Sequence, residues 1–274
     1  MISVELFLKS FVVSIIYFVN YSYSSSEENT DFIGAFYSLQ DVLKVFHKEQ
    51  YKYDPTVIKA LRMFHALEED VGNFAQYDYN NPFIAIEGNH RSRRFIVARQ
   101  LARALRATNM RNPPEFMNFL KFHLHEVEPR RAFYSLGLYA SALEARRILP
   151  ERPVVTAGYW LDIAAFSLSK KYPDGFPENS SEFTWPKDLL APDVIFYINS
   201  PPPIAVEGQT TKAPNPIREK LVEVYRRWTY PRVVELNERL FSYSEMFTEI
   251  FRHVNFLKQS KYKKYLNVNR HNLQ

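Results

Sequence analysis

The 274-residue chain contains no cysteine. Disulfides, thiolate nucleophiles and cysteine-ligated zinc are thereby excluded, and cysteine usage cannot report the redox compartment. Neither sign of charge dominates: 35 Lys and Arg against 30 Asp and Glu leave +5. The excess gathers near Arg91 to Arg111 and in the tail, which permits an anionic partner without demanding one. Arginine is missing until Arg62, and Glu5 comes early. Both speak against a mitochondrial presequence, which is rich in arginine and poor in acids. No uninterrupted apolar run reaches membrane length. Leu6 to Val19 is broken by Lys9, Ser10 and Ser14, and the clean part, Phe11 to Val19, is short for a span. There is no internal repeat.

What is present suffices for a sizeable core: 46% of residues are apolar and 16% aromatic, so disorder is not the default between the ends. The length fits one α/β domain with an N-terminal extension. Residues 1–26 read first as a secretory signal peptide, with Ser22 and Ser24 at the small-residue positions of a cleavage site, and second as a signal anchor. The plain alternative is an ordinary buried first helix. On the secretory reading Asn179-Ser180-Ser181 is a glycosylation acceptor. Residues 27–80 read as a helical extension. Asp31 to Lys48 carries Phe32, Phe36, Leu39, Leu43 and Phe46, and Asp54-Pro55 starts a second run with Val57, Ile58, Leu61, Phe64 and Leu67. The Gly72 to Pro82 connection marks a boundary. Two helices bury little alone, so this piece is expected to pack on the main domain, residues 81–257. Residues 258–274 read as a basic flexible tail.

The main domain is organised around Phe83 to Arg106. Phe83 to Ile86 predicts an inner strand of a sheet covered on both faces, ended by Glu87-Gly88. From Phe95, Ile96, Val97, Leu101, Ala104 and Leu105 recur at helical spacing, with Arg99, Arg103 and Arg106 on another face. The loop Gly88 to Arg94 thus sits at a helix N-terminus, where free backbone N–H groups and the helix dipole favour an anion. The phosphate loop G-x-x-x-x-G-K-[ST] needs two glycines, a lysine and a hydroxyl. Gly88, Asn89, His90, Arg91, Ser92, Arg93, Arg94 and Phe95 keep only the first glycine. Arg93 stands where a glycine adopts a backbone costly for other residues. Arg94 offers a planar fork instead of an ammonium and is a weak catalytic candidate. Phe95 cannot hold a metal.

Met110 to Pro114 breaks the chain, and Glu115 to His125 predicts a helix. His123 and His125, two apart with no third ligand near, read as solvated or packed, and no metal site is assigned. Arg130 to Ile148 predicts a long helix, Pro153 to Ala157 a buried strand, Trp160 to Ser169 a helix and Trp185 to Leu190 a short helical lead. Asp193 to Asn199 is another central strand, and Ser200 to Pro216 an irregular, lid-sized segment. Pro216 to Thr229, Arg232 to Leu236 and Tyr243 to Leu257 follow as helix, strand and helix. Strands alternating with helices predict an α/β fold with a doubly wound parallel sheet.

Three segments carry a resemblance from about Phe83 to Leu257: Arg131-Ala132-Phe133-Tyr134-Ser135-Leu136-Gly137; Pro153-Val154-Val155 with Tyr159-Trp160; and Trp185-Pro186, Asp188-Leu189-Leu190 and Pro192-Asp193. In these the chain resembles the thymidylate-kinase-like P-loop nucleoside monophosphate kinases, most closely the mitochondrial UMP-CMP kinase branch. The resemblance implies transfer of the ATP γ-phosphoryl group to a nucleoside monophosphate, with Mg²⁺ and arginines neutralising charge. The chain departs from the family where that chemistry sits. His90 replaces an acidic residue, Ala157-Gly158 replaces an Asp-Arg pair, and Pro201 to Pro216 contains Lys212 but none of the family's lid arginines.

Losing several groups that act as a unit leaves little catalysis. The resemblance with these losses therefore implies a catalytically inactive relative that retains nucleotide or protein binding. The rival is a working UMP, CMP or dTMP kinase, with ATP and Mg²⁺, rebuilt around Arg93 and Arg94. Arg130 or Arg131, Phe133 and Tyr159 are the monophosphate- and base-binding candidates, with a core aromatic as the other reading of Phe133. Arg91, Arg93 and Arg94 read as a phosphate clamp. With Arg99, Arg103 and Arg106 they read as a nucleic-acid or anionic-membrane patch, or as a solvated basic face. The solvated face is preferred, so nucleic acid is disfavoured and a membrane is expected only through the N-terminal segment. The N-terminus points to the secretory pathway or a membrane anchor, the resemblance to mitochondria.

Overall fold

The computed structural model describes residues 34–72, 81–178, 180–200, 216–238, 242 and 244–257. The expectations for residues 1–26, the Gly72 to Pro82 connection, Asn179, the segment 201–215 and the tail fall wholly or largely outside them. Five strands form one parallel sheet in the order β2-β3-β1-β4-β5. They are β1 Phe83–Gly88, β2 Thr108–Met110, β3 Val154–Ala157, β4 Val194–Asn199 and β5 Val233–Asn237. The helices are α1 Leu39–Phe46, α2 Pro55–Val71, α3 Arg91–Leu105, α4 Glu115–Asn118, α5 Val127–Ile148, α6 Trp160–Lys171, α7 Pro216–Arg227 and α8 at 244–257. The predicted α/β fold with a doubly wound parallel sheet is the one observed.

Every residue of β1 is buried, because both faces of the central strand are covered. Ile84 and Ile86 point with Val155, Phe196 and Ile198 into an aliphatic layer under Val97, Leu101 and Ala102 of α3 and Met246, Ile250 and Val254 of α8. Phe83 and Ala85 point the other way. That layer contains Phe46, Phe64, Phe133, Tyr159, Trp160, Trp185 and Tyr225 and is roofed by α1, α2, α5, α6 and α7. The N-terminal helices pack on α5 as their apolar spacing requires. Each is capped locally: Ser38 Oγ accepts from Asp41 N at 3.1 Å, and Asp54 Oδ1 from Thr56 N at 2.6 Å beside Pro55.

Several boundaries differ from the sequence reading. Of the described part of Asp31 to Lys48, residues 34–48, only Leu39–Phe46 is helical. Thr108–Met110 forms the edge strand β2 where only a break was expected; its three residues are too few to show a period. Glu115 to His125 is one turn of α-helix followed by a 3₁₀ turn at Phe119–Phe122, and Trp185 to Leu190 is a turn, not a helix. On α3 the buried residues are Val97, Ala98, Leu101 and Ala102, while Ile96 and Ala104 face outward.

Candidate active site

The C-terminal ends of β1, β3 and β4 meet at one edge, where open α/β sheets place their ligands. At Gly88 (φ +152°) a Cβ would collide with the carbonyl oxygen of Ile198, so the surviving glycine is required by the close approach of β4. Asn89 N donates to Ile198 O at 3.3 Å, and the Asn89 side chain binds Asn199 Oδ1 at 3.1 Å and Ser200 O at 3.2 Å while accepting from Ser200 N at 3.0 Å. His90 is the N-cap, without a side-chain capping bond, and α3 begins at Arg91. This corrects the expectation of a loop reaching Arg94. The connection has two residues, Asn89 and His90, and Arg94 N already donates to His90 O at 3.3 Å. Arg91, Ser92, Arg93, Arg94 and Phe95 lie in the first helical turns, so no multi-residue loop of amides remains to wrap a polyphosphate.

Arg93 and Arg94 are neutralised within the protein. Arg93 pairs with Glu238. Arg94, with 14% of its side chain exposed, pairs with Asp162 of α6 at 2.6 Å. Burial alone would lower the pKa of its guanidinium, but the Asp162 carboxylate more than reverses this and the charge is held. The pair runs past Gly158 (φ +80°), where a Cβ would stand 3.5 Å from Arg94 Nη1 and 3.8 Å from Asp162 Oδ2. Glycine at 158 thus leaves the pair room that a longer side chain would take.

Beneath the pair lies Glu87, which sequence reasoning treated only as a strand end. It is fully buried and accepts hydrogen bonds from Tyr159 N at 3.1 Å and Tyr225 Oη at 2.6 Å. Its pKa is pushed up to about 8 by burial and by the charge of Asp162, against the Tyr225 hydrogen bond and Arg94. Its signal in the sequence was a lone carboxylate closing an otherwise apolar inner strand. Tyr225 stacks on Tyr197 at 3.9 Å.

The remaining candidates separate. Phe133 and Tyr159 lie in the core. Phe133 is wholly buried, and Tyr159 spends its hydroxyl on Leu190 O at 3.1 Å and its ring on Phe83 and Trp185. Arg130 and Arg131 are half-buried in the first turns of α5. Arg91 is exposed and sits over the Phe95 ring at 5.6 Å. Its pKa is lowered by partial desolvation and by Arg94, and that of Lys121 by partial desolvation and by Arg91, so the two cations share one field. His123 and His125 are exposed.

Arg218 lies two residues beyond the Ser200 to Pro216 segment, in the first turn of α7, where no local pattern marks it. Its Nη2 is buried without a hydrogen-bond partner among the described residues, as are Tyr197 Oη and Ser200 Oγ. The charge of Arg218 acts on the Tyr197 hydroxyl. The donor set does not fit a Mg²⁺ ion. Of the carboxylates at the edge, Glu87 favours its neutral form, Asp162 is engaged by Arg94 and Glu238 by Arg93, and Phe95 occupies the hydroxyl position of the phosphate loop.

No known family profile matches the chain. Over 126 residues it is 31% identical to human UMP-CMP kinase 2, mitochondrial; the match takes in 43% of this chain and 28% of that protein, so the matched stretch spans little more than a quarter of the relative. Among solved structures, thymidylate kinase from Candida albicans aligns over 66% of this chain and 94% of its own at a TM-score of 0.44 and 13% identity. The chain is similar in sequence to the thymidylate-kinase-like nucleoside monophosphate kinases.

Proposed function

We propose, taking this kinship as the premise, that the protein binds a nucleoside monophosphate without transferring a phosphoryl group to it. The observation that carries the reading is the β1–α3 corner. Two residues replace the phosphate loop, and Arg94, in the lysine position, is spent on Asp162. A phosphoryl transfer needs charge neutralisation free to follow the moving phosphate. An arginine held in an internal pair does not supply it. Arg91, Lys121, Arg130 and Arg131 supply cationic surface for a single phosphate, and Arg forks suit that group. The name of the human relative favours mitochondria, whereas the apolar N-terminal segment favours the secretory pathway.

The test is calorimetric titration of the full chain with ATP·Mg²⁺ and, separately, with UMP, CMP and dTMP, followed by an assay for nucleoside diphosphate. Monophosphate binding with no diphosphate formed at high protein concentration is the expected result. A Mg²⁺-dependent diphosphate product overturns it.

The second reading, an active kinase with a rebuilt phosphate site, is favoured by the unpartnered buried donors of Arg218, Tyr197 and Ser200. Buried donors are rarely left unsatisfied. Arg218→Ala abolishing the diphosphate product would assign that role.

A further inference from the structure

We propose that the outward face of α3 docks the protein on an anionic lipid bilayer. At 3.6 residues per turn, Phe95, Ile96, Arg99 and Arg103 fall within an arc of about 100°, and Arg106, the left-handed C-cap, ends the helix. The opposite arc holds Val97, Ala98, Leu101 and Ala102 against the sheet. The outer arc is unusual in two ways at once. No acidic residue occurs from Gly88 to Pro114, and Arg99, Arg103 and Arg106 make no ion pair or hydrogen bond among the described residues, unlike Arg93 and Arg94 of the same helix. Amid these charges two large apolar side chains face solvent, Phe95 at 39% and Ile96 at 51% exposure.

Unpaired arginines with interspersed apolar residues on one helical face match what a bilayer interface offers. Headgroup phosphates and carboxylates accept guanidinium forks, and the acyl boundary takes the apolar side chains. A groove of about 580 Å³ beside Arg103, between Gln100 and Ala104 of α3 and Ser244 and Phe247 of α8, extends the apolar part of this surface. A nucleic acid would use the arginines as well, but it gives an exposed isoleucine no partner in a phosphate-lined groove. The surface adjoins the nucleotide site of the previous section at Phe95, over which Arg91 sits, but it does not rest on that site.

The experiment is co-sedimentation of the full chain with phosphatidylcholine vesicles, with and without phosphatidylserine, across a salt series. The apolar N-terminal segment is common to all samples, so the reading is the gain on adding phosphatidylserine. That gain is expected to fall with salt and to shrink by about tenfold or more in Arg99→Glu/Arg103→Glu/Arg106→Glu, given about fivefold per arginine at such a surface. Phe95→Ser/Ile96→Ser should reduce binding several-fold while keeping the salt dependence. Circular dichroism melts report whether each variant is folded, and Arg103→Gln serves where the triple variant is not. The proposal is overturned if phosphatidylserine gives no gain, if the folded arginine variants keep it, or if the same arginines instead bind single-stranded RNA with no preference for vesicles.

Discussion

The two faces of the sheet have been kept for different reasons. One is aromatic and wired: Trp160 meets Trp185 at 5.1 Å and Trp228 at 5.8 Å, and its Nε1 donates to Phe36 O at 2.8 Å. Asp188 accepts from Leu39 N at 2.7 Å and Tyr139 Oη at 2.9 Å, while Asp193 receives Phe83 N at 2.7 Å. The segments that carry the family resemblance lie mostly on this face or at its rim; Val155 of β3 points to the other. The other face, under α3 and α8, is aliphatic, and its leading helix opens at the β1–α3 corner. The segments that carry the resemblance are thus largely ones in which packing is at stake. Likeness of sequence here speaks for packing, and the activity has to be argued from the edge where the two faces meet.

The comparison breaks most easily at Trp160. Trp160→Ala removes the centre of the aromatic layer and should cost about 3–5 kcal/mol in urea unfolding; a loss below about 1 kcal/mol would mean that the layer does not carry the fold. At the edge, Asp162→Ala strands the Arg94 charge and should cost about 1–3 kcal/mol, discounted because Asp162 is 40% exposed. Adding Arg94→Met should restore much of that, a coupling read from a double-mutant cycle. The pH dependence sharpens the same point. Glu87 keeps its proton in the fold to about 8 against an ordinary value of 4.5. As pH rises through that window the unfolded chain releases the proton first, so the stability from neutral Glu87 is complete below about 4.5 and lost above about 8. Glu87→Gln should flatten that slope in thermal melts, and an unchanged slope would assign it to other groups. Smallest is Phe133→Leu, expected to cost about 1 kcal/mol and to leave UMP, CMP and dTMP affinity unchanged. A fall in affinity at constant stability would return Phe133 to the ligand site.

The elements that periodicity marks, β1, β4, α2 and α5, were legible because their burial is continuous or amphipathic over many residues. Thr108–Met110 was not, since three residues with one buried side chain leave no pattern. The site was legible only as losses. Reading Gly88 to Arg94 as a loop failed because nothing local says that Arg91 opens a helix; that follows from Asn89 being clamped to β4 by Asn199 and Ser200, 110 and 111 residues away. Glu87, Asp162, Arg218 and Tyr225 meet only through the sheet, and no spacing announces them. Phe133 and Tyr159 sit in motif segments, yet burial puts them with the core rather than a cleft.

Gly158 also sets what the corner tolerates. Its φ of +80° disfavours any L side chain, and the first atoms a side chain would meet are those of Arg94 and Asp162. A single arginine introduced at 158 therefore strains the backbone and brings a second guanidinium against Arg94. The position acts as a lock on the pair: a larger side chain is admitted only together with changes at 94 and 162.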